Sequence, residues 1–353
     1  MRDLRFAAYV IVFGYGPGRS IIIGMGLEQQ IKDKARELGF DAVGITDAAP
    51  IEPAQVERFH TWLDSGHAGQ MDYMRRNVEK RLSPGALLVG AQSVVVVALN
   101  YKPLVGAGPC ACPGQPQGVA PTGPVGRVAQ YACYEDYHDF MKPLLHELAV
   151  FMRERTAKAM RFKVCVDSVP LAERALALRA GLGFIGRSHT LIHPTLGPQV
   201  LLGEIVTSAL LRTDEDARCC VSTASTCAGC DRCVRACPTA ALRADGRFDA
   251  NRCISYLTIE HRGAIDPELA ARIGDRLFGC DECVLACPYR DAAPSCANER
   301  FRFYPDRQRV HLQRILEMAP ESFEAEFAGS PIYRLGIERL KRNARICIQN
   351  LNR

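Results

Sequence analysis

The chain has 353 residues, of which 48% are apolar and 24% charged, with a net charge of +5. That length holds two or three domains, and the balance suits a globular, mildly basic protein rather than a disordered one. The charge permits nucleic-acid contact without demanding it, and with no run of eighteen apolar residues no membrane-spanning helix is expected.

Residues 1–24 place Arg2 and Arg5 before a short apolar run, Ala7 to Phe13, which superficially resembles an export signal. The run is short, no small-residue cleavage site follows, and Met25 stands directly before an amphipathic pattern. Residues 1–24 therefore read as an upstream extension or a mis-assigned start, disordered and without a fold. Leu27, Ile31, Ala35 and Leu38 then recur at helical spacing, and Gly39 supplies the stop. Phe40 to Thr46 reads as a strand, and Val94 to Leu99 as a second, apolar throughout as in a sheet covered on both faces. Six prolines and six glycines between Pro103 and Gly126 make a loop, which carries Cys110 and Cys112. A helix is expected from Tyr137 to Ala159, a strand over Phe162 to Val166, a helix over Leu171 to Ala180 and a strand over Gln199 to Thr207. Helices alternating with apolar strands indicate an α/β domain over 25–212.

Two polar groups in that domain stand out. Asp167 ends a strand, where ligand crevices open in α/β sheets. There it fits either a helix cap or an acid kept protonated by its neighbours Val166 and Val169. Asp136-Tyr137-His138 opens a helix, where capping is the simpler role. Gly181, Gly183 and Gly186 spell G-x-G-x-x-G, but they follow a helix rather than a strand, so a dinucleotide turn is rejected. Gly181 reads instead as a helix C-cap, and the loop as a place of close backbone approach.

The last third carries the chemistry. Cys227, Cys230, Cys233 and Cys237 form C-x2-C-x2-C-x3-C before Pro238, and Cys280, Cys283 and Cys287 form C-x2-C-x3-C before Pro288. This is the two-cluster ferredoxin pattern, in which the last cysteine of each run reaches across to the other cluster. The outermost cysteine of the second run is missing, since position 277 is Leu277, and Cys253 takes its place. One 4Fe–4S cluster is thus assigned to Cys227, Cys230, Cys233 and Cys287, the other to Cys237, Cys253, Cys280 and Cys283. A disulfide scaffold does not suit so long a chain, and zinc calls for paired C-x2-C knuckles. The other eight of the sixteen cysteines, among them Cys219 and Cys220, read as core, loop or spare thiols. Clusters beside free thiols imply a reducing compartment, the cytoplasm. Residues 213–297 form the ferredoxin-like domain. Residues 298–353 form a helical tail with eleven Arg/Lys against seven acids, a pattern that fits either a solvated helix face or a nucleic-acid contact.

Taken together these segments resemble the epoxyqueuosine reductase family. The resemblance rests on Leu38-Gly39-Phe40, Glu79-Lys80-Arg81, Asp136-Tyr137-His138, Asp167-Ser168 with Ala172-Glu173-Arg174, and Ala180-Gly181-Leu182-Gly183-Phe184. It continues through Arg252-Cys253-Ile254-Ser255-Tyr256-Leu257-Thr258, Gly279-Cys280-Asp281, Gly329-Ser330-Pro331-Ile332 and Arg342-Asn343-Ala344. It implies an α/β cobalamin-binding domain, a ferredoxin-like domain with two 4Fe–4S clusters and a short α-helical C-terminal tail. It also implies removal of the epoxide oxygen of epoxyqueuosine at the wobble position of a tRNA, with cobalamin reduced through the clusters. By the same resemblance Asp167 is the acid for the departing oxygen, Arg81, Leu191 and Leu202 line the cofactor, and Ser255 and Asp281 approach it from the cluster side. Its partners are then a tRNA with a queuosine-type anticodon, held partly by the basic tail, and an external electron donor of ferredoxin or flavodoxin type. The protein is expected to act as a monomer.

The chain departs from the family in its first 24 residues, in the 103–126 loop and in the run Ala129 to Glu135, where a more basic segment is usual. Two other readings share features with this one. A corrinoid reductive dehalogenase has the same cofactor plan, but no twin-arginine signal is present and the tail suits RNA. A pure electron-transfer ferredoxin module would leave the α/β domain unexplained.

Overall fold

The computed structural model describes residues 26–104, 123–156, 159–214 and 227–353. The expectations for 1–24, for Cys110 and Cys112, and for Cys219 and Cys220 lie outside the described residues.

The first part is built on a four-stranded sheet of order β1-β2-β7-β4. Strand β1 is Ala42–Asp47, β2 is Ser93–Asn100, β4 is Phe162–Cys165 and β7 is Val200–Thr207. All eight residues of β2 are buried, which is why its sequence shows a continuous apolar run instead of alternation. The alternation is in the packing. Ile45, Val95, Val97, Leu99 and Ile205 face helices α1 (Leu27–Glu37) and α5 (Tyr137–Arg155), whereas Val94, Val96, Ala98 and Val206 face α6 (Glu173–Arg179). Helices α2 (Pro53–Asp64), α3 (Val78–Leu82) and α4 (Pro84–Leu87) connect β1 to β2. The fold is the expected mixed α/β one, but every pairing in this sheet is antiparallel. The crevice rule for open parallel sheets therefore gives no account of Asp167, whose place comes from the turn after β4.

The G-x-G-x-x-G segment behaves as its position after a helix demands. Gly181 N–H bonds Leu178 O and Leu182 N–H bonds Ala177 O, the paired bonds of a Schellman cap. The chain then enters a hairpin of β5 (Phe184–Ile185) and β6 (Leu191–Ile192). A Cβ on Gly183 would stand 2.2 Å from Ile192 O, so no side chain fits there.

The remainder does not divide where the sequence suggested. Strand β3 (Val125–Val128) pairs in parallel with β8 (Arg276–Phe278) and antiparallel with β9 (Arg309–His311). Val128, Leu277, Phe278, Leu312, Leu340 and Ala344 share one core. The helical C-terminal segment is therefore a structural wall of the cluster region. Its long last helix (Ile337–Leu351) donates Asn343 Nδ2 to the carbonyls of Thr258 and Leu277, and Arg342 to those of Leu257, His261 and Gly263. The bonds to Leu257 and Thr258 satisfy carbonyls in the last turn of the helix Ile254–Ile259. Among the described residues no helix is long and apolar enough to cross a membrane.

Candidate active site

Two short helices each carry one of the cysteines. Arg232–Ala236 follows Cys230 and holds Cys233. It packs on Glu282–Leu285, which follows Cys280 and holds Cys283. Cys253 immediately precedes the helix Ile254–Ile259. The thiols fall into two sets. Cys233 and Cys287 each feel the charge of Cys227 and Cys230. Cys253 feels Cys237, Cys280 feels Cys253, and Cys283 feels Cys253 and Cys280. Cys283 also feels Cys233, which brings the two sets side by side.

Burial first, then this mutual repulsion, raises most of these thiols. Cys280 is pushed up to about 11. Such crowding of soft donors is relieved by a cation that holds them as thiolates, so the donor set fits iron–sulfur clusters. Among the described residues no three His, Cys, Asp or Glu side chains converge as they would on a single metal ion. Backbone N–H groups already point at the sulfurs, Ala241 N at 3.3 Å from Cys237 Sγ among them, and such bonds tune cluster potential. The glycine hairpin packs on the first set, since a Cβ on Gly186 would lie 3.6 Å from Cys227 Sγ.

Asp167 lies at the other end of the site. Its backbone is left-handed, with φ 50°, rare for a residue with a side chain. The Glu173 carboxylate accepts the Asp167 backbone N–H at 2.6 Å. The Asp167 side chain is 62% accessible. Tyr137 OH donates to Asp167 Oδ2 at 2.9 Å, and His138 Nε2 stands 3.6 Å from the same oxygen. Asp136 caps α5 by accepting from His138 N, and its Oδ1 also lies 2.8 Å from His138 Nδ1. Arg334 Nη2 reaches Asp136 Oδ2 at 3.1 Å.

This surrounding corrects the expected electrostatics of Asp167. Its pKa is lowered rather than raised, first by the nearby imidazole of His138 and also by the hydrogen bond from Tyr137, against the opposing effect of burial. Val166 is buried and its apolar side chain belongs to the core. His138 is raised, because Asp136 and Asp167 outweigh burial. Glu173 is pushed up to about 8 by burial and by Asp167.

The residues expected to line the cofactor differ in their surroundings. Arg81, half-buried on α3, keeps a buried Nε with no hydrogen-bond partner, a donor that suits a polar ligand group. Leu202 is partly buried on the α6 face of β7, but Leu191 is buried at 3% and its side chain is used in the core. Asp281 Oδ2 accepts from Gln130 N at 2.6 Å, and Ser255 directs its backbone N–H to Cys253. Tyr131 packs against Tyr137 and Phe278, and its hydroxyl is raised first by burial and then by the charges of Asp167 and Asp281. Sequence reasoning gave no role to Tyr137, His138, Glu173 or Arg334. The triplet Asp136-Tyr137-His138 was the available signal, since a cap that also holds an imidazole is unusual. In the tail, Arg307, Arg339 and Arg342 donate to backbone carbonyls and Arg314 pairs with Glu326, leaving Arg300, Arg302, Arg309, Arg345 and Arg353 exposed.

Crowded cysteine sulfurs of this kind suit an iron–sulfur protein, and residues 226–290 match the family model described as a 4Fe-4S double cluster binding domain. Residues 81–168 match the model described as epoxyqueuosine reductase QueG, DUF1730. The chain is 36% identical to the epoxyqueuosine reductase of Pseudomonas aeruginosa over 92% of its own length and 85% of that protein. It superposes on the structure of the Streptococcus thermophilus epoxyqueuosine reductase with a TM-score of 0.81 and 28% identity, covering 93% of this chain and 82% of the other. It also superposes on an epoxyqueuosine reductase crystallised with a tRNA-Tyr epoxyqueuosine-modified stem loop, with a TM-score of 0.79 and 28% identity, covering 92% and 81%. The chain belongs to the epoxyqueuosine reductase family and is an oxidoreductase.

Proposed function

We propose that the protein reduces epoxyqueuosine to queuosine at the wobble position of a tRNA, with two 4Fe–4S clusters, cobalamin and a proton relay ending at Asp167. The observation that carries this reading is the pairing of the crowded thiols, in which Cys283 feels Cys253, Cys280 and Cys233, with an exposed Asp167 carboxylate that accepts from Tyr137 OH at 2.9 Å. Cobalamin, when bound, supplies the low-valent reductant that opens the epoxide. Arg81 and Leu202 would hold it from the α/β side, and Ser255 and Asp281 from the cluster side, while Leu191 would support from behind.

Reduction of an epoxide to an alkene and water takes up two electrons and two protons, and one proton must reach the departing oxygen. An alkoxide leaves poorly, so an acid positioned at that oxygen lowers the barrier. Asp167 is the exposed carboxylate, and His138 lies behind it, its pKa raised by Asp136 and Asp167 against the effect of burial. Tyr137 orients the carboxylate. The two cysteine sets support the ligand assignment of Cys227, Cys230, Cys233 and Cys287 to one cluster and Cys237, Cys253, Cys280 and Cys283 to the other.

A single-stranded anticodon loop can present its wobble base to such a site. Arg334, Arg339 and Arg262, which lie close to Asp167 or to Glu260 beside it, offer positive charge for loop phosphates. The structure solved with a tRNA stem loop supports the same choice of partner. An external ferredoxin- or flavodoxin-type donor would feed the clusters, and the thiol-rich site suits the reducing cytoplasm.

The test is mass spectrometry of nucleosides from epoxyqueuosine-containing tRNA incubated anaerobically with reconstituted protein, cobalamin and a strong reductant. Queuosine that appears only with cobalamin supports the reading. Its absence from fully loaded protein moves the assignment to a reductase of another substrate.

A further inference from the structure

His138 Nε2 faces two groups with opposite demands. Nδ1 is engaged, at 2.8 Å from Asp136 Oδ1. Arg334 Nη1 lies 3.0 Å from Nε2, and Asp167 Oδ2 lies 3.6 Å from it. A guanidinium has only donors, and an ionised carboxylate only acceptors. Nε2 can therefore offer a lone pair to Arg334 or a proton to Asp167, but not both. The distances here favour Arg334, and with it the neutral Nδ1–H tautomer.

The imidazole is itself 3% exposed, so it cannot turn to solvent to escape the choice. Arg334 can, being 51% exposed, and its own carbonyl accepts from Arg339. We infer that Arg334 is a positioning residue that keeps His138 from donating to Asp167 until the RNA backbone draws its guanidinium away. This rests on the reading that RNA is the substrate. Phosphate oxygens compete well for a guanidinium because they accept two parallel bonds.

Every charged or titratable group facing His138 fits this exchange. Asp136 and Tyr137 stand on its own helix, Asp167 on the turn after β4, Glu173 on α6 and Arg334 on the turn Pro331–Leu335. Asp136 and Asp167 favour the imidazolium, whereas Arg334 opposes it. Once Arg334 leaves, Nε2 takes one proton from solvent and the ring bridges the two aspartates. That proton passes from Nε2 to Asp167 and on to the departing oxygen. His138 returns to neutral and Asp167 to its ionised form, so the solvent proton ends on the oxygen whose C–O bond breaks, and the electrons for that cleavage come from the reductant of the proposed reaction.

The test uses full-length protein labelled with 15N-histidine, the His138 signals being assigned by their loss in His138→Gln. Arg334→Leu should raise the His138 midpoint by about one pH unit, a tenfold change in proton affinity. Unmodified anticodon stem-loop RNA should produce the same rise in the wild type and none in Arg334→Leu. A midpoint that is unchanged or lowered in the variant overturns the inference. Arg334→Gln provides the same comparison if the leucine variant does not fold, with iron content as the check.

Kinetics give the second readout, since kcat/KM reports free-enzyme ionisations and kcat those of the complex. The alkaline limb of kcat should lie about one unit above that of kcat/KM in the wild type. The two limbs should coincide at the higher value in Arg334→Leu. A gap that persists in the variant, or coincident limbs in the wild type, would equally sink it. The labelled-histidine experiment needs no epoxide, so a failure of the queuosine assay leaves it decisive.

Discussion

The Glu173 carboxylate accepts the backbone N–H of Asp167 at 2.6 Å and so fixes the one left-handed residue of the active-site turn. A left-handed non-glycine residue costs roughly 1–2 kcal/mol and persists only where its surroundings enforce it. Glu173 is such a surrounding, because it begins α6, which packs on the sheet. Its pKa near 8 makes it neutral at pH 7, so a glutamine oxygen can replace it. Glu173→Gln should hold turnover within a few-fold, whereas Glu173→Ala should lower kcat by about 10–100-fold through misplacement of Asp167. Single-turnover rates at saturating tRNA distinguish them, and equal losses in both variants would show that the acid itself, not its grip on the turn, matters.

Asp167→Asn keeps the size of the side chain and a partner for Tyr137, but it cannot pass a proton. Turnover should fall by about 10²–10⁴-fold, the usual range for a lost general acid, with iron and cobalamin content unchanged. Near-normal turnover would remove Asp167 from the relay.

The regular elements were readable because burial imposes their pattern. The apolar run of β2, the amphipathic α1 and the glycine stop of α6 all stand within a residue or two of expectation. The cysteine runs were legible for a different reason, since ligand spacing is local, and Cys253 was the substitute expected for the residue lost at Leu277. What stayed hidden was non-local. Arg334 meets His138 across 196 residues, and no spacing rule encodes that contact. The basic tail misled in part because charge composition does not reveal which guanidinium groups are used on carbonyls, as those of Arg307, Arg339 and Arg342 are. The pKa of Asp167 was misjudged because its sequence neighbours are apolar while its spatial neighbours are polar.

Cys253 lies outside both cysteine runs, so its role is the sharpest test of the ligand sets. In the structure it stands in the field of Cys237 and beside Cys280 and Cys283. Two 4Fe–4S clusters bring about eight irons per chain. Cys253→Ala should bring anaerobically reconstituted protein to about four, with the Cys227 cluster retained. Iron that stays near eight would assign the fourth ligand elsewhere.

Glu204 is 0% exposed on the α6 face of β7, and neither of its carboxylate oxygens has a hydrogen-bond partner. Burial, then Glu173 and Asp167, push its pKa far above the usual carboxylate range, so the folded protein holds it as a neutral acid. In the unfolded chain it ionises normally, near pH 4.3. Between that pH and its folded pKa the native state binds the extra proton, so this group makes stability fall as pH rises, by about 1.4 kcal/mol per unit. Below pH 4 the contribution vanishes. Glu204→Gln removes the ionisation and keeps the shape. The variant should therefore gain Tm relative to the wild type progressively from pH 5 to pH 8, while the two converge near pH 4. Parallel Tm profiles across that range would mean that the Glu204 carboxyl has a proton partner in the folded protein and carries its charge at little cost.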